Sequence, residues 1–251
     1  MSAAPVLEHQ SRIGEQAPRA VSSSAAGSAE GLISACLHHL GDPACWIGAQ
    51  DHSGSLALCL IEAVQASGSD FVPTAGLVAR YQAFRNATAM PPAPLARDGL
   101  AELLATFDLV GGPAIWIGKV GHYRRRYTGS IDVRAAEIMH LAHALHACRI
   151  DSSTDLLRAS SSSHGPEPLA AIWLAELGAP GQQALAHCLA LASPAPDSLA
   201  RAREAFRASC APGTDGLRFG AMTGEVAAEL GVAPDRLDHA LVRWHARSVR
   251  S

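Results

Sequence analysis

Aromatic side chains are scarce in this chain: Phe, Trp and Tyr make up 5% of its 251 residues. A core must therefore be built mainly from Leu, Ala, Val and Ile. Runs rich in Val, Ile, Thr and aromatics are nearly absent, which leaves little room for a β-rich fold. Lysine is almost missing, Lys119 being the only one, so the basic residues are nearly all arginine. Charged residues are few, at 17%, against 48% hydrophobic, a balance of globular rather than disordered chains. A formal charge of -3 argues against a surface coated in positive charge, although it leaves room for a local basic patch. Six cysteines occur and none forms a Cys-x-x-Cys pair, so they read as free thiols of a reducing compartment. The N-terminus has no basic stretch followed by an apolar one, and no run approaches the roughly 18 apolar residues of a membrane span. These absences lead to the expectation of a cytoplasmic chain with no membrane segment. A P-loop, a His-Glu-x-x-His pair and a Gly-x-Ser-x-Gly turn are also missing.

What is present is helical period. Alanine abounds, and it has the best intrinsic helix propensity. Leu100, Leu103, Leu104 and Phe107 follow the i, i+3, i+4, i+7 spacing after Asp98, read as an N-cap. Ile138, Leu141, Ala142 and Leu145 repeat that pattern, as do Leu237, Ala240, Leu241 and Trp244. Leu77, Tyr81 and Phe84 mark another face. Leu56 to Val64 is apolar nearly all round and reads as a central, buried helix. Shorter helices are expected at 31–40, 113–119, 168–177, 182–192, 197–209 and 220–230. Residues 1–29 lack any apolar period and read as a disordered tail before one helical domain at 30–251. Proline and serine clusters at Ala89–Arg97 and Ser160–Pro168 read as loops.

Three groups of residues carry candidate chemistry. His140, His143 and His146 share one helix with Glu137, but steps of three rotate each ring about 60° around the axis, and no second Glu-x-x-His exists. This reads as a polar helix face, so no metal and no cofactor is expected. The segment Gly118 to Gly129 holds Lys119, Arg124, Arg125 and Arg126 with no acid, and adds Tyr123 and Tyr127. Arginine grips phosphate in a planar fork and tyrosine can stack on a base; a solvated loop paired with nearby carboxylates fits equally. The third is a hairpin, Ile172 to Ala192, whose two apolar helices flank Gly178-Ala179-Pro180-Gly181, with Gln182 next. Such a turn can offer backbone N–H groups to a phosphate. Asp197 follows within Ala195-Pro196-Asp197-Ser198-Leu199. By spacing alone it is an ordinary helix-start residue, because Ala-Pro-Asp-x-Leu recurs at Ala233 to Leu237.

The order of these segments resembles the helix-hairpin-helix-GPD superfamily of DNA glycosylases, closest to its divergent actinobacterial branch. The resemblance spans about residues 54–247. It runs through Ser55 to Gly68, Val78 to Tyr81, Asp98 to Leu104, Val120 to His122 with the arginines, Arg134 to Ile138 and Leu237 to Trp244. It implies an all-α, two-lobed domain with a cleft between the lobes, DNA as partner, and Asp197 as catalytic carboxylate. In that role Asp197 would stabilise positive charge on the deoxyribose of a flipped-out nucleotide. Arg124, Arg125, Arg126, Tyr123, Gly178, Gly181 and Gln182 would contact DNA. Several features depart from the family pattern. The hairpin lacks the second glycine, and Gln182 and Gln183 stand where some members carry a catalytic lysine. Ser198-Leu199-Ala200 after Asp197 is also atypical, and no cysteine spacing matches an iron–sulfur cluster. The resemblance therefore implies base removal without strand cleavage if the chain is active. The alternative is a catalytically inactive helical module that binds DNA or another partner.

Overall fold

The computed structural model describes residues 28–67, 71–88, 97–120, 131–162, 166–212 and 216–248. Residues 1–27 of the expected tail lie outside them, as do most of the expected loop at Ala89–Arg97. The chain is all-α: thirteen α-helices and one 3-10 turn, with no strand, among the described residues. In order they are α1 (Ala29–Leu40), the 3-10 turn (Pro43–Cys45), α2 (Ala49–Ser53), α3 (Leu56–Ala66) and α4 (Phe71–Thr88). Next come α5 (Leu100–Val110), α6 (Pro113–Lys119), α7 (Ile131–Ala147), α8 (Ser153–Ser160) and α9 (Glu167–Leu177). The chain then continues through α10 (Gly181–Ala192), α11 (Ser198–Cys210), α12 (Gly216–Glu229) and α13 (Pro234–Ser248).

Local chemistry sets most boundaries. Ser28 and Ser55 accept N–H bonds from Gly31 and Leu58 at the starts of α1 and α3, leaving fewer orphan donors. Helix α8, which no apolar period foretells, begins on a Ser152–Asp155 capping box, each side chain bonding the other's backbone N–H. Helix α5 stops at Gly111, whose φ of 94° only glycine adopts without strain, and Pro113 opens α6 after a sharp bend.

The start of α5 differs from the expectation. Asp98 does not cap it; the N-cap is Gly99, whose N–H donates to Glu102 Oε2 at 2.9 Å. A Cβ at Gly99 would sit 2.3 Å from Asp151 O, so the backbones approach too closely for any side chain. The Asp98 carboxylate instead takes Arg85 Nε at 2.8 Å and Arg85 Nη2 at 3.1 Å, with Tyr81 Oη at 3.4 Å. It ties α4 to the start of α5.

The core falls into two clusters. The larger gathers α3 to α10 around α3, whose residues Leu56 to Val64 are all buried. Each buried Leu or Ile there contributes about 1.5–3 kcal/mol of apolar transfer energy. The smaller joins α1, α11, α12 and α13 with Trp46 and with Ala75 of α4 around Phe206, which meets Trp244 edge-on at 5.0 Å. Helix α13 lies along α11 and also reaches α10 and α2, so it forms the seam between the clusters. Among the described residues no single helix is long and apolar enough to cross a membrane.

Candidate functional site

The α9–α10 hairpin forms as its sequence implies. Gly178 turns the chain with φ 66°, and its carbonyl accepts the Gly181 N–H at 2.9 Å. A Cβ on Gly181 would lie 2.2 Å from Trp173 O. Glycine is thus required because the first turn of α10 presses on the backbone of α9, directly beside the fully buried Trp173. Of the three hairpin residues expected to touch DNA, Gly178 and Gln182 are exposed, whereas Gly181 is buried.

Asp197 stands at the N-cap of α11, but its side chain makes no capping bond. Its carboxylate pairs with Arg201 one turn along, and both side chains are more than 60% exposed. The Arg201 guanidinium holds the Asp197 carboxyl below the usual range, so it is ionised in water. Tyr123, Arg124, Arg125 and Arg126 lie outside the described residues. Just before them, Arg80 Nε donates to Val120 O at 2.9 Å, and Lys119 is exposed at the end of α6. His140, His143 and His146 lie on α7, whose histidine-bearing side is a polar helix face. No cluster of His, Cys, Asp and Glu suited to a metal occurs among the described residues.

The densest chemistry lies in the seam, on residues that spacing along the chain does not single out. Glu62 of α3 is 1% exposed and Arg243 of α13 is 0% exposed. Arg243 donates through Nε and Nη2 to Glu62 Oε2 at 2.9 and 2.5 Å. His52 of α2 brings Nε2 within 3.3 Å of Glu62 Oε2, and His187 of α10 brings Nε2 within 3.9 Å of Oε1. His239 of α13 bonds through Nε2 to His52 Nδ1 at 3.0 Å. Burial alone would raise the Glu62 carboxyl; the Arg243 charge and hydrogen bonds, then His187 and His239, outweigh it and leave it below its ordinary value. Burial, then Arg243 and His187, push His52 well below its ordinary value. Burial, then His52 and Arg243, do the same to His239. Cys59 Sγ donates to His52 O at 3.3 Å and is kept a thiol by burial. One sequence signal points here: a glutamate within a helix apolar nearly all round must find a partner or stay uncharged.

This network fills the centre of the seam. At its edge is a cavity of about 40 Å³, lined by Ala63, Ala66 and Ser67, by Gln183, Ala184 and His187, and by Arg247. That is room for a few water molecules.

The family model of a domain of unknown function, DUF8548, matches residues 30–184, from α1 into the first turn of α10. No curated protein and no solved structure matches the chain.

Proposed function

We propose that this chain, a member of the DUF8548 family, is by the resemblance of its segment order a DNA-glycosylase-like helical module that contacts DNA without excising bases. The observation that carries this reading is the setting of Asp197. An acid that stabilises a developing sugar cation works through a desolvated, preorganised field. Asp197 is instead hydrated and already engaged by Arg201. In bulk water the field of such a charge is strongly screened, far short of what bond cleavage needs. Contact with DNA is supported by the exposed turn at Gly178 and Gln182 and by the lysine and three arginines within Gly118 to Gly129. Backbone N–H groups at a helix start and arginine forks both suit phosphate, which positions a protein without reading sequence.

The test is a set of labelled duplexes, undamaged or carrying alkylated, deaminated or oxidised bases, with binding and base release measured on the same samples. The expected result is salt-dependent binding of all duplexes alike and no released base. Base release that is lost in Asp197→Asn would overturn the non-catalytic reading in favour of monofunctional excision. No binding to any duplex at low salt would overturn the DNA assignment.

A further inference from the structure

The buried seam holds one carboxylate, one guanidinium and three imidazoles. Glu62 and Arg243 neutralise each other, so the cluster is balanced only while the rings are uncharged. The His52 Nδ1 to His239 Nε2 bond, at 3.0 Å, allows one proton between two nitrogens. If both rings were protonated, two N–H groups would face each other in a site closed to water. Of the side chains packed around the pair, only Glu62 favours a charged ring, and its carboxylate is already engaged by Arg243. Helix α3 contributes Glu62 and the thiol Cys59, α10 contributes His187 and the thiol Cys188, and α13 contributes Arg243. The turn before α2 contributes Cys45, which feels Arg243 and Arg80. Asp51 and Asp235 lie near each other beside Gly48, half-buried and exposed respectively. Asp238 is taken by Arg203 of α11 at 2.7 Å, and the buried Asp98 by Arg85 at 2.8 Å. Among the described residues, no further buried carboxylate is therefore available to balance an added proton.

The two clusters have largely separate apolar cores, bridged at α4, whose Ala75 belongs to the smaller one. The cluster that joins α3 to α10 contains no residue of α13, so its apolar contacts do not require α13 to be docked. The α11–α13 side has its own core around Phe206.

We propose that the seam is an acid-released latch: proton uptake by the His52–His239 pair undocks α13, with α2, from α3 and α10 while the larger cluster stays folded. The sign follows from linkage. Both rings are pushed below the ordinary value of 6.5, so the docked form binds fewer protons than the open one. Docking is fully stable above 6.5 and weakens as pH falls from there. The Glu62 carboxyl sits below its ordinary value of 4.5, so its pair with Arg243 persists beneath the pH where histidine uptake begins. The latch does not depend on the DNA reading.

Hydrogen exchange resolved by peptide, on the full chain between about pH 7.5 and about pH 5 and corrected for intrinsic rates, tests it. Protection of α2, α13 and the facing turns of α3 and α10 should fall by about tenfold per pH unit for each proton taken up. Helices α5, α6 and α7 should keep theirs. In the His52→Gln/His239→Gln variant that pH dependence should flatten. A simultaneous loss across α3 to α10, or an unchanged pH dependence in the variant, would overturn the latch. If the variant does not fold, histidine ring NMR on the native protein decides. Expected are His52 and His239 signals that change together with the loss of α13 protection. Either ring gaining its proton while α13 stays protected would overturn the proposal.

Discussion

Arg243→Met is the perturbation that separates a structural ion pair from an incidental one. Arg243 is 0% exposed and its Nε and Nη2 hydrogen-bond Glu62 at 2.5 to 3.2 Å, in a bidentate fork. Methionine fills a similar length with an apolar chain, so the main loss is the partner of a carboxylate that is 1% exposed. Leaving such a charge uncompensated costs about 3–5 kcal/mol. For a chain of this size each kcal/mol moves the melting temperature by roughly 2–4 °C, giving a fall of roughly 6–20 °C. The neighbouring imidazoles can offset part of this by charging, so the loss should be smaller near pH 6 than at pH 8. The companion variant Glu62→Leu/Arg243→Met removes both charges. Buried pairs replaced by apolar residues are often neutral, so the double variant should be more stable than Arg243→Met alone. Urea unfolding of both singles and the double, followed by circular dichroism, gives the free energies and a coupling of at least about 2 kcal/mol. An Arg243→Met cost under about 1 kcal/mol, or a double variant equal to the sum of the singles, would refute the account of the seam.

Three further outcomes are expected. Gly181→Ala should lower the melting temperature by several degrees, since its Cβ would lie 2.2 Å from Trp173 O and must push α10 off α9; an unchanged or higher melting temperature would mean the hairpin is not that tight. Replacing Arg124, Arg125 and Arg126 together by Ala should weaken binding to all duplexes alike and reduce the salt slope by about 0.9 for each phosphate no longer neutralised. Unchanged affinity and slope would return that segment to a solvated loop. Borohydride treatment on lesion-bearing DNA should trap no covalent adduct, because a Schiff base needs an amine and Lys119 is the only lysine; an adduct that disappears in Lys119→Gln would move the chemistry to the end of α6.

What the sequence alone determined was whatever depends on near neighbours. Helical period repeats within two turns, so the apolar faces at Leu100 to Phe107, Ile138 to Leu145 and Leu237 to Trp244 all emerged as α5, α7 and α13. The buried run Leu56 to Val64 and the hairpin around Gly178 to Gly181 were legible for the same reason. Helix α8 was also written locally, in Ser152 and Asp155, but in cap chemistry rather than in period. Asp98 shows where local reading stops. Its position suits a cap, yet Arg85 in the preceding helix binds its carboxylate with two charge-assisted bonds, which outweigh one N–H bond. Asp197 shows the opposite limit: its residue type and place fit a catalytic role by resemblance, and only the tertiary structure decides that water surrounds it. The seam was beyond any spacing argument. Glu62 and Arg243 are 181 residues apart and His52 and His239 are 187 apart. Charge pairing in a dry interior depends on distance in space, and no periodicity along the chain records which helices will close over the same carboxylate.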